Sequence, residues 1–258
     1  MIHNLLDIKH VFYINLEHRL DRKTHVTEQL ESIGLNTVAQ RFNAIKMENG
    51  AIGCSMSHIT LLKNAIRSRL DHILIVEDDI QFLDPELFKT QINTFLETHN
   101  NEWDVILLAG NNMPPYKTID NTCVKVTRCQ TTTGYLVNGH YIQKLLDNVK
   151  TGLTNLLHTP QQHALYAIDK YWFNLQKIDR WFLITPLTVV QREDYSDIEK
   201  KVINYKNVMT DLSKEELLKR MNEYNLQKQL KQQEQQQQQQ QKYHESIKNF
   251  REKVTQFN

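Results

Sequence analysis

The sequence predicts an α/β fold: a mostly parallel central sheet flanked by helices, followed by a helical, glutamine-rich C-terminal tail. Three observations carry that expectation. Short runs of β-branched and aromatic residues alternate with longer amphipathic stretches, the pattern of strands joined by crossover helices. Only 7 glycines and 5 prolines occur in 258 residues, too few for a sandwich of many short hairpins. The composition also changes near Asp211, where apolar runs give way to leucine, charged residues and glutamine.

Taken in order, residues 11–16 (Val-Phe-Tyr-Ile-Asn-Leu) read as a buried strand. Arg19, Asp21, Arg22 and Lys23 then lead into a helix ending near Gly34. Residues 41–44 supply a second short strand. Gly50 and Gly53 bracket a turn, and Ser55-Met-Ser57-His58 opens a helix to about Ser68, serine being a natural cap for amides without backbone partners. Residues 72–77 (His-Ile-Leu-Ile-Val-Glu) are the clearest strand and read as central and parallel. A helix follows at roughly 85–99, then a buried strand at 103–109 ended by Gly110-Asn-Asn. Strands at 124–127 and 133–137, a helix over about 139–149, a helical segment at 161–175 and a strand-like run at 181–190 complete a domain of 1–210. Residues 211–258 form a separate tail. Its glutamine tract near 232–241 has no apolar face to bury, so it is either solvated helix or disorder. A few apolar positions make the tail a candidate coiled-coil stub and a candidate route to self-association.

Charge and composition exclude several classes. A formal net charge of +1 gives no electrostatic case for nucleic acid or an anionic membrane. No run of ~20 apolar residues occurs, so no transmembrane segment is expected. The amino-terminal stretch lacks the apolar core of a secretory signal, and the expected location is cytoplasmic. Three cysteines, Cys54, Cys123 and Cys129, do not make a disulfide framework and fit a reducing compartment. Cys54 reads as a small packed residue, because no base partner is evident for a nucleophile.

The chemistry concentrates at Glu77-Asp78-Asp79, three acids ending an apolar strand. Successive strand side chains point to opposite faces, so Glu77 and Asp79 should project together while Asp78 points away. Paired oxygen ligands at the carboxyl end of a parallel strand suit a hard divalent cation with positions left for phosphate oxygens. Acids that merely end a strand and cap the next helix would give the same local pattern, as would a phosphatase or a receiver domain.

Four segments, in order, resemble glycosyltransferase family 25. They are Tyr13-Ile-Asn-Leu-Glu-His-Arg-Leu-Asp-Arg22, Gly50-Ala-Ile-Gly-Cys-Ser-Met-Ser-His58, Ile75-Val-Glu-Asp-Asp79, and Thr133-Gly-Tyr-Leu-Val137 followed by a helix with Lys144-Leu-Leu. Weaker echoes are Ile168-Asp169, and Gln191 with Ser196-Asp197-Ile198. The resemblance covers about residues 10–200 and does not extend to the tail. It implies a GT-A fold (Rossmann-like), a UDP-sugar donor and Mn²⁺ (or Mg²⁺). The family includes bacterial lipooligosaccharide galactosyltransferases, active in lipopolysaccharide biosynthesis, and collagen hydroxylysine galactosyltransferases. Carried over, Glu77 and Asp79 become the DxD-like metal pair, with Glu in place of the first Asp. That puts the direct metal bond mainly on Asp79, with Glu77 or Asp78 acting directly or through water.

Other candidates follow from position. Asn15, Arg19 and Arg22 come after the first strand, where a nucleotide sits in a doubly wound sheet, and arginine suits phosphate or base contact. Ser57 and His58 lie near the expected helix start, whose free amides favour an anion. Asn111 and Gly134 are candidate lining of the donor pocket, and Asp197 is an outlying candidate for a metal or donor contact. Asp169, ahead of Lys170-Tyr171-Trp172, is the candidate catalytic base for an inverting transfer. The function expected is transfer of a hexose, galactose or glucose, from a UDP-sugar to a hydroxyl acceptor on a glycan or protein, hydroxylysine included. A metal-dependent phosphoryl-transfer or hydrolase enzyme, or an inactive nucleotide-sugar-binding module, stays open as a rival.

Overall fold

The computed structural model describes residues 2–100, 102–196 and 200–255, with side chains described as far as 242. Asp197 and Ile198 lie outside the described residues. The chain divides into two compact units, Met1–Ser213 and Lys214–Asn258.

The first unit is built on β1 (Val11–Asn15), α1 (Leu20–Ser32), β2 (Ala39–Asn43), α2 (Gly50–Arg67), β3 (His72–Glu77), β4 (Ile80–Phe82), α3 (Pro85–Thr98) and β5 (Val105–Leu107). Short strands β6 (Asn111–Asn112), β7 (Lys117–Thr118), β8 (Cys123–Lys125) and β9 (Cys129–Gln130) follow, then β10 (Gly134–Asn138) and α4 (Ile142–His158). Next come α5 (His163–Tyr166), α6 (Ile168–Tyr171), α7 (Phe173–Gln176), β11 (Trp181–Ile184), β12 (Val189–Gln191), β13 (Asp194–Ser196), β14 (Lys201–Ile203) and α8 (Lys206–Thr210).

The α/β expectation is met. The main sheet has eight strands in the order β2-β1-β3-β10-β5-β11-β8-β7. β1, β2, β3, β5, β7 and β11 run one way, and β10 and β8 run the other. Burial on both faces explains the nearly continuous apolar strands. Val11, Tyr13, Leu74, Val76, Ile106 and Leu136 pack on one face against Val26 and Leu30 of α1 and Phe88, Ile92 and Phe95 of α3. Their neighbours in sequence, Ile14, Ile73, Ile75, Val105, Leu107 and Tyr135, pack on the other against Leu61 and Leu62 of α2 and Leu145, Leu146 and Val149 of α4.

Four elements differ from expectation, each for a physical reason. α2 starts at Gly50, not near Ser55: the side chain of Asn49 accepts hydrogen bonds from the amides of Ala51 and Ile52 and so sets the earlier start. Gly53 is a helical residue at a close approach, where a Cβ would stand 2.4 Å from the carbonyl oxygen of Ile45. α4 continues to His158 because its buried face persists through Val149, Gly152 and Leu156. The run 181–190 divides at Pro186, which has no amide to donate, and β12 pairs with β4 outside the main sheet. The segment 161–175 is three short helices, α5 and α6 being separated by Ala167 in an extended conformation (ψ 148°).

The second unit is one helix, α9 (Glu215–Thr255). Residues 219–242 are exposed, so the glutamine tract takes the solvated-helix form of the two alternatives. Among the described residues no helix is long and apolar enough to cross a membrane.

Gly53→Ala should lower stability by about 1–3 kcal/mol, because the atom in its way is backbone and cannot rotate aside. Thermal or urea unfolding of the variant checks this, and an unchanged midpoint would show that the α2 contact with Ile45 is loose.

Candidate active site

The carboxyl ends of β1 and β3 lie side by side, with Ile14 opposite Glu77, and the amino end of antiparallel β10 enters beside them, the Glu77 amide donating to the Thr133 carbonyl at 2.9 Å. Such an edge is where open α/β sheets bind ligands. A cavity of about 550 Å³ opens here. Glu77, Asp78, Asp79, Arg19, Arg22 and Asp169 all line it. So do the predicted Ser57 and Asn111.

The three acids are not arranged by strand alternation. β3 ends at Glu77, and Asp78 and Asp79 occupy a turn before β4. Released from the pleat, Asp78 does not point away from its neighbour. The Arg22 guanidinium lies 2.9 Å from Asp78 Oδ1 and 3.5 Å from Asp79 Oδ2. Glu77 turns the other way, its Oε1 accepting from the Thr132 hydroxyl at 2.8 Å and standing 3.6 Å from both Cys54 Sγ and His58 Nε2.

Asp79 is the least compensated of the three. Its Oδ1 is buried without a hydrogen-bond partner. Burial first, and then the charge of Glu77, push its carboxyl up to about 8. Burial also raises Asp78, although Arg22 and Asn15 oppose it. Glu77 is lowered: burial raises it, but His58, Thr132 and Cys54 together outweigh that. A buried carboxylate oxygen without a partner, on a residue that lines a cavity, favours positive charge beside it. Asn111 Oδ1, also buried and without a partner, is a second hard donor on the same wall. The oxygen donors therefore fit a hard divalent cation.

Arg22 reaches further. Its Nε donates to Asp194 Oδ2 at 3.0 Å, and Arg19 Nη2 donates to the same oxygen at 2.9 Å. Burial would raise Asp194, but the Tyr195 amide and the two arginines hold it below the usual carboxylate range. Both predicted arginines thus line the cavity while tied to acids. Asp169, at the start of α6, accepts from the Thr131 amide at 3.1 Å, with Lys170 Nζ 3.8 Å away, and its carboxyl is raised by burial.

Other predicted residues are placed differently from expectation. Asn15 is buried and does not line the cavity: its amide donates to Asp78 Oδ2 at 2.8 Å and to the Arg19 carbonyl, and its Oδ1 accepts from Arg41 at 2.9 Å. These hydrogen bonds hold Asp78 in place. Ser57 and His58 are not at a helix start, since α2 begins two turns earlier, and their amides lie inside the helix. The Ser57 hydroxyl accepts from the Ile45 amide at 2.9 Å and donates to the Gly53 carbonyl. His58 is fully buried, with Nδ1 2.7 Å from the Tyr135 hydroxyl. Gly134 lies under Ile80 and Leu108, where a Cβ would meet Ile80 at 2.9 Å, so it serves packing and not the cavity lining.

Sequence reasoning missed Asp194, Lys46, Thr132 and Lys200, which the fold brings to this cavity or to its arginines. None stands in a local pattern. Gln191 was visible only as an echo, and its Nε2 lies 3.4 Å from Asp79 Oδ2.

Residues 46–160 match the family model described as glycosyltransferase family 25 (LPS biosynthesis protein). The chain is 27% identical over 168 residues to a procollagen lysyl hydroxylase and glycosyltransferase of Acanthamoeba polyphaga mimivirus, covering 59% of this chain and 18% of that protein. It is 25% identical over 170 residues to procollagen galactosyltransferase 2 of Homo sapiens, covering 53% of this chain and 27% of that protein. It thus spans less than a third of the length of either relative. A solved glycosyltransferase involved in the glycosylation of the major capsid of PBCV-1 is similar at 13% identity and a TM-score of 0.41, covering 69% of this chain and 81% of that one. The resemblance to family 25 holds, and the matched stretch contains Gly50 to His58, the three acids and Thr133 to Val137.

The raised Asp79 carboxyl makes folding pH-dependent with a definite sign. Between its ordinary 3.8 and about 8 the folded protein binds this proton more tightly than the unfolded chain. Stability from Asp79 is therefore present at low pH and is lost as pH rises through that window. Without divalent cation, Asp79→Asn should flatten the fall and stabilise the protein near the top of the window by about 1–3 kcal/mol. Melting temperatures across the window test it, and a steeper or unchanged slope contradicts it.

Proposed function

We propose, with the family 25 match over residues 46–160 as premise, that the first unit is a metal-dependent glycosyltransferase of GT-A type. It moves a hexose, galactose or glucose, from a UDP-sugar to a hydroxyl on a glycan or protein. The observation that carries the reading is the meeting, in one cavity, of an unpaired buried Asp79 oxygen, two arginines and the separate acid Asp169. An anionic diphosphate with its cation needs the first two. A hydroxyl acceptor needs the third.

In this reading Asp79 is the direct ligand of Mn²⁺ or Mg²⁺, with Asn111 and Asp78 beside it and Glu77 set behind, held by Thr132. The bound cation would offset negative charge on the departing diphosphate. Arg19 and Arg22 face the same charge, and Lys46 and Lys200 add cationic lining to the cavity. Arginine's planar fork suits phosphate oxygens, and its present partners Asp78 and Asp194 keep it oriented. Asp169 takes the proton from the acceptor hydroxyl as that oxygen attacks the anomeric carbon and the bond to the UDP oxygen breaks. Its raised carboxyl suits a general base, since proton affinity grows with pKa. The outcome is inversion. The similarity to mimiviral and human proteins that act on procollagen by name supports a hydroxylysine-type acceptor as one candidate.

Incubating the protein with UDP-galactose, UDP-glucose and Mn²⁺ should release UDP, and a chelator should stop it. Asp169→Asn should lower turnover about 10²–10⁴-fold without preventing UDP binding, whereas Asp79→Ala should remove both. Phosphate release from simple esters with no UDP released from any UDP-sugar would replace this reading with a hydrolase.

A further inference from the structure

At one side of the cavity, α2 and β3 bring together three groups that the transferase reading leaves unused as a set. Cys54 and His58 are one helical turn apart and share a face of α2. Glu77 meets them from the end of β3. Cys54 Sγ and His58 Nε2 each stand 3.6 Å from Glu77 Oε1, and all three donor atoms lie within 4.8 Å of one another. Ligands held about 2.0–2.3 Å from a tetrahedral zinc ion are separated by about 3.3–3.7 Å, so two of the three edges already have that length.

An independent observation points to a ligand here. His58 is fully buried, and Nε2 is aimed at Glu77 Oε1 across 3.6 Å, too long for a hydrogen bond, with no other hydrogen-bond partner. Such an atom is costly unless something completes it. The surroundings supply an outer shell: the Tyr135 hydroxyl engages His58 Nδ1 at 2.7 Å, and the Thr132 hydroxyl donates to Glu77 at 2.8 Å. Hydrogen bonds of this kind fix which nitrogen and which oxygen are free to coordinate. Cys54, Glu77 and Thr132 also line the cavity, so a fourth position opens onto it.

We propose that Cys54, His58 and Glu77 form a binding site for a thiophilic divalent cation of the zinc class, with its fourth position facing the cavity. Sulfur and imidazole donors select zinc, cobalt or cadmium over manganese, which prefers the oxygen donors around Asp79. Binding replaces the S–H bond of Cys54 with a sulfur–metal bond, and the proton leaves to solvent. The site does not depend on the transferase reading, since it needs neither donor nor acceptor.

Cobalt(II) titrated into the full chain reports the ligands directly. One equivalent should give the intense visible spectrum of a tetrahedral site with a sulfur-to-cobalt charge-transfer band, both displaced by zinc. Cys54→Ser should abolish the charge-transfer band, while Asp79→Ala leaves it. Cys123→Ser should also leave it, which separates this site from the His99, Asp120 and Cys123 group elsewhere in the fold. Alkylation of Cys54 in the unaltered protein, followed by peptide mass spectrometry, guards against a misfolded variant: zinc at about a hundred times its dissociation constant should slow it about a hundredfold. A weak octahedral spectrum without a sulfur band, a band that survives Cys54→Ser, or alkylation indifferent to zinc would each overturn the site.

Discussion

The removal of Asp78 and Asp79 from water at the end of β3, with Arg22 as their shared counterion, constrains everything around it. Burying carboxylates is costly unless positive charge or donors come with them. The chain meets that demand from three distant places. Arg22 arrives on α1, Asn15 arrives at the end of β1, and Asp194 arrives from β13 to hold Arg22 from its far side. The compensation is incomplete, because Asp79 Oδ1 stays unpaired. A cation would complete it. Strain of this kind, left in the fold and facing a cavity, is expected where binding is the function.

The cavity separates two kinds of acid. Asp79 sits in a field of other carboxylates and an arginine, which suits a metal and a diphosphate. Asp169 comes from α6, backed by the Thr131 amide and with one lysine nearby, and burial and the charge of Glu77 raise its carboxyl, which suits proton transfer. Glu77 belongs to neither arrangement in a simple way. Its hydrogen-bonded side faces Thr132, Cys54 and His58, so the acid that begins the Glu-Asp-Asp run joins the donor cavity to a softer set of ligands behind it.

Much of this was legible in the sequence because it is local. The apolar runs at 72–77 and 103–109 announce strands covered on both faces, and the acids ending the first mark the sheet's carboxyl edge. What was illegible depended on tertiary partners. Alternation placed Asp78 away from Asp79 only if the strand continued, and it stops at Glu77. Gly53 looked like a turn residue, whereas it lies inside a helix at a close approach to the carbonyl of Ile45; the cap at Asn49 starts α2 earlier, and that removed the amide argument for Ser57 and His58. Asn15 was recognised as part of a site but not as a support, since its partner Asp78 is 63 residues away. Asp194 carries no pattern at all. Only the fold brings it to Arg22.

The central claim is that Asp79 completes its coordination through a hard cation that also holds a nucleotide diphosphate. Calorimetric titration of UDP into the protein tests it most directly, with Mn²⁺ present, with chelator present, and with Asp79→Ala. The account predicts saturable heat with Mn²⁺ alone, and none with chelator or with the variant. Equal UDP binding in all three titrations would contradict it.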